Sequence, residues 1–169
     1  MEKEMKIKKL ENKLNILYDK YIPLHTLYGE EDVRVLALKP SLQMYALSKY
    51  YINNFYNIDE TIDKVIYTLL DLIEQCENIN IFENTKHSLF SKIKQKRKIR
   101  TQRKKYKEIF LILSTFYRST KSTFIYPTKI KVDKYKELID LADKLIIEEI
   151  QRRNNVQETL SNNDEIELL

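Results

Sequence analysis

Ten basic side chains crowd one short stretch: Lys92, Lys94, Lys96, Arg97, Lys98, Arg100, Arg103, Lys104, Lys105 and Lys107. With Lys86 they make 11 basic and no acidic residues in the 22 positions 86–107. Cations at this density cannot lie in a core, because burying unpaired ammonium and guanidinium groups is prohibitive. They must be solvated or face anions. Nucleic acid supplies such an array, since its phosphates recur every few ångströms and each bound Lys or Arg releases condensed counterions. Five or six such contacts would give a salt slope of about −4 to −5. Most of the cluster is lysine, a point-charge contact, whereas Arg97, Arg100 and Arg103 can grip phosphate bidentately. Their spacing of three sets these arginines along one side of a helix. Nothing in the stretch reads base edges, so backbone or shape recognition is expected, with RNA slightly favoured over DNA.

Other uses of the same run are open at this stage. It could be a solvated charge run with no partner. It could dock on an acidic protein surface, including the acidic arms of another copy, or lie on an anionic membrane. Lys96-Arg97-Lys98-Ile99-Arg100 and Lys104-Lys105-Tyr106-Lys107 look like nuclear import signals, as any basic run does. Tyr106, Phe116, Tyr117 and Tyr126 could stack on unpaired bases, but core packing is the expected role of these rings.

No other constellation carries chemistry as far. His25 and His87 lack metal-ligand spacing and a paired cysteine or carboxylate, so neither is assigned to catalysis. The single cysteine, Cys76, excludes an intrachain disulfide and a cysteine zinc site, and is expected to be a small buried or half-buried hydrophobe. One glycine in 169 residues excludes phosphate-binding loops and dinucleotide fingerprints. Glu30-Glu31-Asp32 fits an acidic helix start better than a cation site. Arg118-Ser119-Thr120-Lys121-Ser122 fits a polar helix end. Asp140, Asp143, Glu148 and Glu149 fit the wet face of a last helix, and the terminal Asp164 to Leu169 resembles an acidic dileucine peptide only as short segments often do. No catalytic residue, metal or cofactor is expected, and the chain is not expected to be an enzyme.

The formal net charge of +5 hides a strong asymmetry. Residues 1–83 carry a net −4, residues 84–132 a net +14, and residues 133–169 a net −5. The basic excess thus comes from one central stretch between two acidic arms, which points to a polyanionic partner. Lys, Ile, Asn and Tyr have AT-rich codons, so an AT-rich genome accounts for part of the lysine count. It does not account for the clustering.

Few glycines and prolines argue against hairpin-rich β folds, and hydrophobic periodicity argues for helices. Ile7, Leu10, Leu14, Leu17, Tyr21 and Leu24 form a heptad-like stripe on a helix over 3–21. It suits packing in the chain's own bundle, or a short coiled coil with a partner. Pro23 and Gly29 mark a loop, and Asp32 to Leu38 a short helix that Pro40 ends. A tyrosine-rich helix over 41–57 follows, whose rings suit a bundle boundary or an interface. Asp59 caps a helix over 60–77 with Ile62, Val65, Ile66, Leu69, Leu70 and Ile73 inward. Residues 78–85 form a loop, with Asn84 or Thr85 capping the next helix. That helix opens on Leu89, Phe90 and Ile93, loses its apolar face in the basic run, and regains it at Tyr106, Ile109, Phe110, Leu113, Phe116 and Tyr117. Residues 119–131 are an ordered loop or a short edge strand. Asp133 caps a last helix over 134–153 with Tyr135, Leu138, Ile139, Ala142, Leu145, Ile146 and Ile150 inward, ended by Asn154-Asn155.

These patterns predict an all-α, single-domain bundle of four to five main helices over 1–153. A strongly basic helix or hairpin, 86–107, projects from it. Like-charge pairs such as Lys96–Arg100 should fray that element when no partner is bound. A polar, acidic, disordered tail, 154–169, is expected to follow. No transmembrane or secretory segment stands out, so the chain reads as intracellular and cytoplasmic, with nuclear import or virion association compatible with the same pattern. The expected function is non-catalytic binding of the nucleic-acid phosphate backbone, within a larger assembly. The alternative is a protein–protein adaptor or structural subunit, self-associating or not, that uses the amphipathic N-terminal helix and the tyrosine-rich helix.

Overall fold

The computed structural model describes residues 2–77, 89–119 and 132–167. Among them are five helices and no strand: α1 (Glu2–Tyr28), α2 (Val33–Phe55), α3 (Glu60–Glu77), α4 (Leu89–Ser119) and α5 (Val132–Glu167). The chain is an all-α bundle, as the periodicity predicts. The expected loop at 78–85, its caps Asn84 and Thr85, His87, the strand or loop at 120–131 and Tyr126 lie outside the described residues.

The heptad-like stripe of α1 is spent on the chain's own core. Leu10, Leu14, Leu17 and Tyr21 are buried, and Ile7 and Leu24 pack partly against the same cluster. The helix runs seven residues past its expected end and includes Pro23. A proline inside a helix frees the carbonyl four residues back, here that of Asp19, which is exposed and can be met by water. The stop comes instead at Gly29, whose φ of +84° ends the helix while its N–H bonds the His25 carbonyl at 3.0 Å.

Proline misleads a second time in α2, which is one continuous helix rather than two separated at Pro40. The carbonyl freed there belongs to Leu36, again on the solvent side. Asp32 caps the helix, accepting the Arg34 N–H at 2.9 Å, and the Arg34 side chain folds back on the same carboxylate. This is the acidic helix start expected at Glu30-Glu31-Asp32. Leu42, Met44, Tyr45, Leu47, Tyr51 and Ile52 are all buried, so α2 is enclosed on most sides. Its tyrosines mostly belong to the core rather than to an interface. Tyr50 is exposed, and Tyr51 is buried and stacks on Phe116 at 5.8 Å.

α3 matches its expected span. Asp59 Oδ1 accepts the Ile62 N–H at 2.9 Å, and Ile62, Ile66, Leu69, Leu70 and Ile73 are buried. α5 starts near its expected place and buries Leu138, Ala142 and Ile146. It does not end at Asn154-Asn155. The helix continues to Glu167, where a disordered tail was expected. The extension has no Gly or Pro to break it, and Gln157, Glu158 and Leu160 are good helix formers. Arg153 ties the last packed turn to α1 through Asn15 (2.9 Å) and Asp19 (3.3 Å), and residues 154–160 beyond it are all exposed. Among the described residues, no helix is long and apolar enough to cross a membrane.

Candidate nucleic-acid interface

The basic run forms half of one uninterrupted helix. α4 has 31 residues, about 46 Å at 1.5 Å per residue. Its two halves live in different environments. From Ile109 to Phe116, six side chains are buried: Ile109, Phe110, Leu113, Ser114, Thr115 and Phe116. From Lys92 to Glu108 none is. The helical alternative is therefore the one the chain adopts, and its basic half stands outside the core.

The packed half holds the basic half in place. Phe116 is fully buried between Tyr51 (5.8 Å) and Phe55 (5.1 Å) of α2. One turn before Phe110, Tyr106 shares a 3.2 Å hydrogen bond with Ser41 of α2. Burial pushes the Tyr106 phenol up, the Ser41 contact opposes this, and the ring stays neutral as a hydrogen-bonding group. Lys105 donates to Gln75 of α3 at 2.5 Å. Beside them Tyr45 of α2 donates to the Glu77 carboxylate of α3. Cys76 is buried at the same junction, and burial pushes its thiol up to about 11, with the Lys105 charge pulling the other way. Ser41 and Gln75 thus hold the helix directly, while the Tyr45–Glu77 bond ties α2 to α3 beside it, and Ser41, Gln75 and Glu77 did not stand out in the sequence. The one available signal was that Tyr45 and Tyr106 have one dry end and one wet end.

The protein-facing side of the basic half is a narrow strip. Gln95, Lys98, Ile99, Gln102, Lys105 and Tyr106 are half-buried at spacings of three and four. Eight of the ten basic residues lie off that strip and are exposed: Lys92, Lys94, Lys96, Arg97, Arg100, Arg103, Lys104 and Lys107. Lys98 and Lys105 belong to the strip instead. Among the described residues, no carboxylate forms an ion pair with any of the eight. Carboxylates elsewhere are engaged: Asp71 and Glu74 with Lys6, Asp143 with Lys39 and Gln43, and Glu149 with Arg152 and Arg153. Asp143 and Glu149 are therefore structural partners rather than a free wet face. The result is a set of exposed cations on one uninterrupted helix, with no carboxylate partner among the described residues.

No family model, curated protein or solved structure matches this chain. What it does must be inferred from its own surface.

The aromatic candidates divide by burial. Phe116 is fully buried and its ring is closed to any base. Tyr106 is tied to Ser41, and Tyr117 donates to Glu137 at 2.9 Å. The two histidines do not gather ligands either: His25 stacks on Tyr21 at 5.4 Å and lies 3.6 Å from Glu30, while His87 is not described. Among the described residues, no group of three or more His, Cys, Asp or Glu could hold a metal ion. An open groove of about 420 Å³ runs between α1 and α2, lined by Ile7, Ile52 and Tyr56, away from the basic half of α4.

Proposed function

We propose that this protein binds the phosphate backbone of nucleic acid through the exposed basic half of α4, without catalysis. One observation carries the reading. Eight cations stand on one solvent-facing half-helix, and no described carboxylate neutralises them. Such a surface is costly in isolation, because like charges at i,i+4 repel. It also places Lys92 and Lys94 in the first turns of α4, against the helix dipole. A polyanion removes both penalties and gains counterion-release entropy. Arg97, Arg100 and Arg103 supply bidentate phosphate contacts, and the lysines supply point charges. Lys105 bonds Gln75, and Lys98 lies on the half-buried strip, so both act less directly.

The adaptor reading loses its original surfaces, since the α1 stripe and most α2 tyrosines are core. A protein partner would instead meet the α1–α2 corner, where Leu27 and Val33 are 73% and 80% exposed. The test is fluorescence-anisotropy binding to labelled nucleic acid at about 100 mM salt. Its control replaces Lys96, Arg97, Arg100, Arg103 and Lys104 with Gln. Binding by the parent and its loss in the control support the reading. Binding that survives the replacements, or none by the parent, overturns it.

A further inference from the structure

α5 outlasts the bundle it packs on. Its packed part ends where Arg153 reaches Asn15 and Asp19 of α1, yet the helix runs on to Glu167. Residues 154–167 extend it by about 21 Å at 1.5 Å per residue. Residues 154–160 are all exposed, so the chain's own bundle leaves them open. The extension repeats the inward face of the helix. Eighteen residues are five full turns at 100° per residue, so Val156 takes the angular place of Leu138, and Leu160 that of Ala142. Leu138 and Ala142 are fully buried, whereas Val156 and Leu160 are 47% and 58% exposed. An apolar stripe thus leaves the core with nothing packed on it. The extension is also acidic: it holds Glu158, Asp164, Glu165 and Glu167 and no Lys or Arg.

We infer that this extension of α5 docks on the basic half of α4 in a second copy of the chain. The extension calls for a surface that is basic, open to solvent and apolar at its centre. A second α5 extension does not qualify, because it sets four acidic residues against four more. The basic half of α4 does. At 100° per residue, seven of its exposed cations form one continuous arc of about 140°. Ile93, 45% exposed, lies inside that arc. Among the described residues, no carboxylate forms an ion pair with these cations. Lys92 to Lys107 spans about 22 Å, close to the length of the extension.

Opposite charge brings the two helices together, and Val156 and Leu160 close on Ile93 to exclude water. Two helices of this length bury little area, so the contact is weak and reversible and forms at high protein concentration. It uses cations assigned above to phosphate, so self-association and nucleic-acid binding compete for them. The inference stands on the face and charge of α5 and does not require the phosphate reading.

The experiment is sedimentation equilibrium of the full chain at about 100 µM, in low salt and in about 1 M salt. Four variants run beside it, each checked for helicity by circular dichroism. The first carries Glu158→Lys, Asp164→Lys and Glu165→Lys. The second carries Val156→Ser and Leu160→Ser. The third is the five-residue Gln replacement of α4 described above. The fourth, a control for net charge, carries Glu30→Lys, Glu31→Lys and Glu148→Lys, at exposed positions outside the extension. The parent should associate at low salt, and about tenfold or more weakly at 1 M. Each of the first three variants should weaken association by about tenfold or more, and the control by less than about threefold. The Val156→Ser, Leu160→Ser variant should bind labelled nucleic acid at least as tightly as the parent, because its cations are intact. A monomeric parent, association that any of the first three variants leaves intact, or an equal loss in the control would overturn the inference. Nucleic-acid binding by a monomeric parent would leave the phosphate reading standing while the inference falls.

Discussion

The basic half of α4 should be less stable than its sequence could make it. Lys96 has Lys92 one turn before it and Arg100 one turn after it, all three exposed. Each like-charge i,i+4 pair costs about 0.2–0.5 kcal/mol, and each opposite-charge pair gains a similar amount. The substitution Lys96→Glu removes two repulsions and creates two attractions, the one toward Arg100 in the more favourable order. The local gain is therefore about 0.8–2 kcal/mol at low salt. That corresponds to roughly a 4- to 30-fold slower exchange of the amides around residues 96–104, if these open locally. Hydrogen exchange read by mass spectrometry on peptides from this stretch measures it directly. The effect should fade near 1 M salt, where the Debye length falls to about 3 Å. The same substitution should weaken nucleic-acid binding. Protection that is unchanged or lower at low salt would refute the reasoning, because the segment would then not be under charge repulsion.

Further outcomes follow from the core and the helix junctions. Phe116→Ala should cost about 3–5 kcal/mol in chemical denaturation, since the ring is fully buried between Tyr51 and Phe55; a cost below about 1 kcal/mol would place that ring outside the core. Tyr45→Phe leaves the Glu77 carboxylate without its α2 donor and should lower stability by about 1.5–3 kcal/mol, read from the same denaturation curves. The Cys76 thiol lies at 9.0 when unperturbed and about 11 in the folded protein, raised by burial. Its raised value means that the stability it contributes is complete below pH 9 and is lost as pH rises toward 11. Burial raises the Tyr45 and Tyr51 phenols as well, which act in the same direction once the pH passes 10.0. Melting temperatures should therefore fall from about pH 9 upward, and a rise over that range would contradict the assignment. At pH 8 the native thiol should be about a hundredfold poorer in thiolate than an unperturbed one, so a thiol reagent should label it mainly through opening.

Much of the scaffold was legible from spacing. The α3 core positions, the Asp59 cap, the heptad-like stripe of α1 and the inward face of α5 follow from apolar residues recurring at three and four. The prolines were misread because a sequence does not show which way a freed carbonyl points. Asp19 and Leu36 are exposed residues, where water can satisfy the freed carbonyl, and Pro23 and Pro40 remain inside helices. The tyrosines of α2 suggested a boundary, whereas Leu42, Met44, Leu47 and Tyr51 are buried on several sides of the helix. An enclosed helix has no single stripe to find. The basic segment was found from charge alone, and its helical form was left open because a hairpin has the same composition. Which cations face the protein was not legible. Lys98 and Lys105 are separated from the other eight only by the strip on which α4 packs, and the partner groups Gln75 and Ser41 belong to other helices.

The central claim is that exposed α4 cations replace counterions on a phosphate backbone. The slope of log affinity against log salt for the full chain on duplex DNA tests it most directly. Five to seven phosphate contacts predict a slope of about −4 to −6. A slope near zero, with binding still measurable, would mean that affinity comes from something other than these cations and would contradict the account.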